Sequence, residues 1–276
     1  MKFTTKPWVV PPFLVTEGAA RLSVGSSAGS RRHVAGSIAR ADPEEFAEAV
    51  PRDDLPGPIA SFVRRAAPSR QRAPVAIRIR QRGEMRFSPQ GKWQALTAVQ
   101  VVAVHEPGFV WRASCRMAPL MTAQVIDSYV RGEGRLEARL FRWVQVAHAD
   151  GPETAKSELM RYLAELPWAP DAIRYNRLLR WRSVDDRTFE VSADSVGGEA
   201  RVRLMLDEQG DIVGMRADDR PRIERGKAVP GKWFGVFSDY QELSGYRIPA
   251  RGEVGWDLKA GQFVYWRGEI VAFEVG

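Results

Sequence analysis

Apolar and polar residues alternate with a period of two through most of the chain after residue 70, the spacing of strands with one dry and one wet face. Val75, Ile77 and Ile79 stand on one side of such a segment, with Ala76, Arg78 and Arg80 on the other. The same reading predicts strands over 98–105, 109–115, 122–130 and 135–147, then over 188–192, 199–206, 212–218 and 233–242. It continues with 245–248, 253–258, 262–266 and 269–275. The stretch Arg135–Ala147 exceeds an ordinary strand, so a bend or bulge is expected within it. Glu208-Gln209-Gly210, Ala260-Gly261 and the Gly197-Gly198 pair have the composition of turns between strands.

Helical spacing occurs in few places. Leu55–Ala67 carries Ile59, Phe62 and Val63 on one face, enters through Pro56 and Pro58, and stops before Pro68. Lys156–Leu166 places Leu159, Tyr162, Leu163 and Leu166 on a common stripe and is stopped by Pro167. Asp171–Leu179 is a second midchain helix with a less regular pattern, and Pro43–Ala49 a short one. Many consecutive strands and few helices imply a mainly β protein: a large curved antiparallel sheet covered on its concave face by one or two helices. Residues 1–53 read as an extension, dense in glycine and serine from Ser23 to Ser37, and residues 54–276 as one domain.

Charge and composition narrow the function. The net charge is +7, but residues 1–82 hold 14 Lys or Arg against 7 Asp or Glu, and the remainder is balanced at 27 to 27. A nucleic-acid protein carries its positive patch on the folded domain, so no specific nucleic-acid partner is expected. One cysteine, Cys115, excludes an internal disulfide and a cysteine metal cluster; its alternating surroundings suit a small buried apolar residue. The three histidines, His33, His105 and His148, lack metal-ligand spacing, and no G-x-S-x-G elbow or phosphate-loop pattern is present. No metal or cofactor is therefore expected. No run of 18 apolar residues spans a membrane, and Trp8–Val15 is a short apolar run broken by Pro11 and Pro12, so the expected location is cytoplasmic. Nine tryptophans require a wide core or a ring-lined pocket.

Two segments concentrate chemistry. In Arg161-Tyr162-Leu163-Ala164-Glu165 the charged residues stand four apart on one helix face, where they form either an exposed pair or a pair leaning into a cavity. In Asp127-Ser128-Tyr129 the carboxylate and the phenol point the same way from a strand, as acid–base machinery or as a buried network setting the sheet's bend. Arg220 is a candidate partner for these carboxylates.

Several segments resemble an uncharacterised bacterial family known only as a domain of unknown function. They are Trp93-Gln94-Ala95 with Gln100, Phe109–Ala113, Asp127-Ser128-Tyr129 with Gly132 and Gly134, and Arg161–Glu165 with Trp168 and Pro170. Arg220, Gly245–Pro249, Val254-Gly255-Trp256 and Tyr265–Gly268 continue the match, which spans about residues 55 to 276 and implies no activity. In strand order, midchain helix and aromatic content the chain is also similar to LolA-like and LppX-like lipoprotein carriers, which implies a half-barrel around a lipid cavity. The leading expectation is a cavity for a small apolar or amphiphilic ligand, with Trp111, Trp143, Tyr162 and Trp168 as apolar wall and Asp127, Tyr129, Arg161, Glu165 and Arg220 as polar contacts. Two alternatives stay open: an enzyme using Asp127 or Glu165 as base with Arg161 stabilising an anion, and a structural or interaction domain filled by its own side chains. Protein partners are not indicated.

Overall fold

The computed structural model describes residues 49–276 apart from 119, 120, 142, 225 and 226. The extension up to residue 48, with the short helix expected at Pro43–Ala49 and the apolar run Trp8–Val15, lies outside the described residues. Thirteen strands form one antiparallel sheet. The first meander is β1 (Ala76–Met85), β2 (Gln94–Ala103), β3 (Phe109–Ala118), β4 (Met121–Val130), β5 (Glu133–Leu140) and β6 (Val144–Ala149). The second is β7 (Arg180–Ser183), β8 (Thr188–Ser195), β9 (Gly198–Leu206), β10 (Ile212–Glu224), β11 (Lys227–Leu243), β12 (Tyr246–Leu258) and β13 (Gly261–Val275). The spatial order β6-β5-β4-β3-β2-β1-β13-β12-β11-β10-β9-β8-β7 means that every neighbour is a sequence neighbour except at one seam, where β1 pairs with β13 from Ile77↔Val275 to Met85↔Trp266.

The helical residues link the two free edges of this sheet. Helix α1 (Gly57–Ala66) precedes it and buries Ile59, Phe62, Val63 and Ala66, as the apolar spacing requires. Helix α2 (Pro152–Ala164), a 3-10 turn (Leu166–Trp168) and α3 (Pro170–Tyr175) carry the chain from β6 to β7. Proline at the first position starts each of the two midchain helices, where a missing N–H costs nothing. α2 contacts β4 and β5 on one side and β8, β9 and β10 on the other. Strands so distant in the sheet reach one helix only because the sheet curls into a half-barrel with α2 across its concave side.

Two glycines let that happen. A Cβ on Gly134 of β5 would lie 2.5 Å from Ala155 Cα, and one on Gly197, in the β8–β9 turn, 2.0 Å from Pro152 O. α2 is thus seated backbone to backbone against both arms of the half-barrel. A third set crosses the seam: Gly83, Gly268 and Gly252 lie side by side on β1, β13 and β12. Above Gly252 the Trp168 indole packs so closely that a Cβ there would meet the ring at 2.8 Å. Trp168 is fixed by its Nε1–H, which donates to Pro249 O at 2.9 Å, and by edge contacts to Phe237 and Trp266.

Several expected elements are corrected. Arg135–Ala147 is not one bent strand but the hairpin β5–β6, turning at Phe141–Trp143 with Phe141 at φ 50. Conversely, 245–248 and 253–258 are one strand, β12, and 262–266 and 269–275 are one strand, β13. Pro249 does not break β12 because β13 joins it only from Arg251 onward; at Pro249 the strand has a ladder partner, Tyr240, on one side alone. α3 ends at Tyr175 rather than Leu179. Arg52, placed by sequence in the extension, is docked on the domain, donating to Asn176 O at 2.8 Å and to Leu179 O at 2.5 Å.

Candidate functional site

Between α2 and the concave face of the sheet lies a cavity of about 400 Å³. One side of its wall is aliphatic and thioether: Met85, Met117, Met121, Val125, Leu136, Leu140 and Val146. Rings close the other side, with Trp111, Trp168, Trp233, Phe237 and Trp266 all in the wall. Apart from Trp168, which comes from the 3-10 turn, these residues come from β1, β3–β6, β11 and β13, so both meanders contribute.

The polar wall is set by helical spacing. Glu158, Arg161 and Glu165 stand three and four residues apart, which brings them onto one stripe of α2 facing the cavity. Arg161 Nε donates to Glu165 Oε1 at 2.9 Å, and its Nη1 donates to Asp127 Oδ2 on β4. The guanidinium is held between the Phe109 and Trp111 rings, 5.0 and 4.8 Å from their centroids. Facing carboxylates keep its proton on, raising its pKa against the opposing effect of burial. Glu165 Oε2 also accepts from Gln100 Nε2; Gln81 Nε2 donates to Gln100 Oε1 at 3.3 Å, and Trp111 Nε1 to Gln81 Oε1 at 2.7 Å. A relay of neutral donors therefore runs from the sheet floor to the helix.

On the other arm, Arg220 lies over the Trp233 ring at 3.9 Å, donates from Nε to Ser157 Oγ at 3.1 Å and sits 3.8 Å from Glu158. Burial pushes the pKa of Glu158 well above the usual carboxylate range, and Asp127 adds to the rise by charge and by a side-chain hydrogen bond, against Arg220 and Arg161. Asp127 Oδ1 and Glu158 Oε2 are both buried without a conventional partner. A proton on Glu158, in its hydrogen bond to Asp127, would satisfy an oxygen of each.

Of the residues expected at the site, Trp111, Asp127, Arg161, Glu165, Trp168 and Arg220 line this cavity together. Three do not. Trp143 stands in the β5–β6 turn and is 80% exposed, because the strand expected to carry it inward ends at Leu140. Tyr162 is buried on another face of α2, its hydroxyl donating to Ala103 O at 3.2 Å and accepting from Asn176 Nδ2 at 3.0 Å. Tyr129 is buried on β4 outside the cavity wall, and burial raises its pKa. Residues missed by sequence reading include Glu158, Gln81, Gln100, Trp233 and Trp266. The two glutamines had a visible signal: Gln81 continues the inward series Ile77, Ile79, and Gln100 stands between Ala98 and Val102. Cys115 is buried in the wall, with its thiol pKa pushed up to about 12 by burial. Among the described residues, no three His, Cys, Asp or Glu side chains converge in a group able to hold a metal ion.

A family model described as a family of unknown function, DUF6544, matches residues 44–268. The chain belongs to that family. Comparison with curated proteins gives no match. Three solved structures resemble the DUF6544 chain in fold. A domain described as an outer membrane lipoprotein-sorting protein, from Vibrio parahaemolyticus, is 9% identical with a TM-score of 0.43 and covers 72% of this chain and 85% of its own. A DUF1329 family protein from Desulfovibrio piger is 10% identical, with a TM-score of 0.41 and coverage of 73% and 86%. A LolA superfamily protein from Nitrosomonas europaea is 11% identical, with a TM-score of 0.39 and coverage of 79% and 92%. The fold of the DUF6544 protein is itself an antiparallel half-barrel with α2 across its concave side. The cytoplasmic expectation is withdrawn: it rested on the lack of a long apolar run and on the weakness of the Trp8–Val15 run, neither of which places a protein, and one structure similar in fold is described as an outer membrane lipoprotein-sorting protein. No helix among the described residues is long and apolar enough to cross a membrane.

Proposed function

We propose that the protein binds a small amphiphilic molecule, its apolar chain along the methionine and leucine wall and its polar head at Arg161 and Arg220. The observation that carries this is the cavity itself: about 400 Å³, within the range of small-molecule sites, with a broad apolar wall and its charged side chains on α2, β4 and β10. A domain filled by its own side chains would leave no such space. The head is read as neutral or anionic because three guanidiniums, those of Arg161, Arg220 and Arg222, lie in the wall, while burial pushes the pKa of Glu158, one of the four carboxyl groups there, well above the usual carboxylate range.

A fluorescent long-chain fatty acid probe tests the reading. Wild-type protein is expected to bind it, and Ala138→Phe, which fills the wall between β4 and β6 with a ring, to lose that binding while keeping its far-ultraviolet spectrum. Equal probe binding by both proteins would sink the proposal. Native mass spectrometry of protein purified without detergent then identifies the natural occupant.

A second reading, acid–base catalysis, is favoured by one feature, the raised pKa of Glu158 beside Asp127. The bases expected from sequence fit it less well, since Arg161 engages both Asp127 and Glu165. Recovery of the extracted occupant unchanged after incubation with fresh protein supports binding. Its conversion by wild type and not by Glu158→Gln supports catalysis.

A further inference from the structure

The geometry points to a membrane-docking tip: we infer that the open end of the half-barrel sits on an anionic lipid bilayer, with the β5–β6 turn inserted among the headgroups. The inference rests on the ligand-binding proposal for its purpose, because the tip borders the mouth through which an amphiphile would pass.

Antiparallel alternation puts the β1–β2, β3–β4, β5–β6, β8–β9, β10–β11 and β12–β13 turns at one end of the sheet; of these the β8–β9 turn is taken up by α2, where Gly197 meets Pro152. Met85, Met117, Met121, Leu140 and Ile223, near four of those turns, belong to the cavity wall, so the apolar interior runs out to this end. Immediately beyond Leu140 the chain exposes Phe141 at 55%, Trp143 at 80% and Val144 at 56%. A turn in water is ordinarily built from small polar residues. Here a phenylalanine also holds a left-handed backbone, φ 50, a conformation that bulky residues avoid and that persists where its surroundings demand it. Tryptophan at the edge of an apolar surface is the residue that partitions best into the headgroup layer.

Charge at the same end has the complementary sign. Lys92, Arg116, Lys227 and Lys259 are exposed at these turns, and none makes an ion pair among the described residues. Against them stand Asp257, Glu224 (already paired with Arg222) and Glu84 (already paired with Arg267). Basic side chains around an apolar projection complement an anionic lipid surface. A protein partner would require a broad apolar face, whereas this is a narrow tip ringed by cations.

Cosedimentation of the full chain with vesicles of phosphatidylcholine, alone or mixed with phosphatidylglycerol, tests the inference. The expected result is binding to the mixed vesicles that weakens with added salt. Phe141→Ser with Trp143→Ser should lower the partition coefficient about tenfold or more, equivalent to roughly 1.4 kcal/mol or more. Lys227→Glu with Lys259→Glu should lower it on the mixed vesicles alone. Both positions of the first variant are exposed, so an unchanged circular dichroism spectrum is expected and confirms folding. Equal sedimentation of wild type and the serine variant, or no binding to either vesicle, overturns the inference. So does Trp143-dependent self-association without lipid, which would make the tip a contact between copies of the chain. The soluble fatty acid probe, used without vesicles, separates the two readings: the serine variant should bind it normally. Wild-type failure to bind the probe sinks the ligand reading while the vesicle result stands on its own.

Discussion

Arg161 is the side chain on which most of the candidate site depends. Its side chain is 15% exposed and that of Glu165 14%, which rules out an ordinary surface pair. Two carboxylates and two aromatic faces converge on one guanidinium. Arg161→Ala leaves Asp127 and Glu165 desolvated beside each other, and a loss of roughly 3 to 5 kcal/mol is expected in urea melts. Arg161→Lys keeps the charge but not the planar fork, so it should recover only part of that loss. A cost below about 0.5 kcal/mol for the alanine variant would mean that the pair is solvated after all. Glu158 gives a prediction in pH. Its folded pKa is raised above the usual value of 4.5, so between that value and the raised one the folded state holds a proton that the unfolded state has released. Stability therefore falls as pH rises through this window and is retained below it. Glu158→Gln keeps the hydrogen bond to Asp127 without a titrating proton, so its stability relative to wild type should grow with pH above 4.5. A wild-type/variant difference that stays constant across the range would show that Glu158 does not titrate with the fold.

Among the elements, α2 is held closely in place, because backbone atoms rather than side-chain ends oppose it at Gly134 and Gly197. Gly134→Ala should destabilise by about 1 to 3 kcal/mol, since Ala155 Cα and N cannot yield without shifting the helix. Gly57→Ala, at the start of α1 with open space around its Cβ, is the matched control and should be neutral or slightly stabilising. Equal urea midpoints for the two variants would show that α2 floats on its arms. The helices were legible in the sequence for the same physical reason that makes them stable: apolar stripes bounded by proline. The strands were legible wherever one face stayed dry, as at Ile77 and Ile79. Legibility failed where a local break and a tertiary requirement disagree. Phe141-Arg142-Trp143 reads as strand because nothing in it resembles a turn. Pro249 reads as a break, although its carbonyl is needed by Trp168. In the site, the Arg161–Glu165 spacing left an exposed pair and an inward one open and the structure has them largely buried, whereas Glu158 was passed over because a glutamate on a helix is ordinarily solvated.

At the scale of the whole molecule, the chain is two meanders zipped at β1–β13 and held by helices that run between their far edges. Each meander is built from sequence-adjacent hairpins, including tight two-residue turns at Arg131-Gly132 and Ser244-Gly245 with both residues at positive φ. The seam is different in kind: Ile77 must find Val275. Closing so long a loop is entropically uphill until its contacts form, so the hairpins should assemble quickly and the seam late. The cavity draws its wall from both meanders, with Trp111 and Met121 from one and Trp233 and Trp266 from the other. It can therefore exist only once the zip is closed. In stopped-flow refolding, the far-ultraviolet signal should rise first and fatty acid probe fluorescence in a separate, slower phase; simultaneous appearance would contradict a late seam. The capacity to hold a ligand is then the last property the chain acquires on folding. With a late seam, a newly made molecule would pass through a half-zipped stage in which the future interior lies open along two sheet edges, and on the proposed reading an amphiphile present at that moment would be enclosed by the closing seam rather than admitted through the finished mouth.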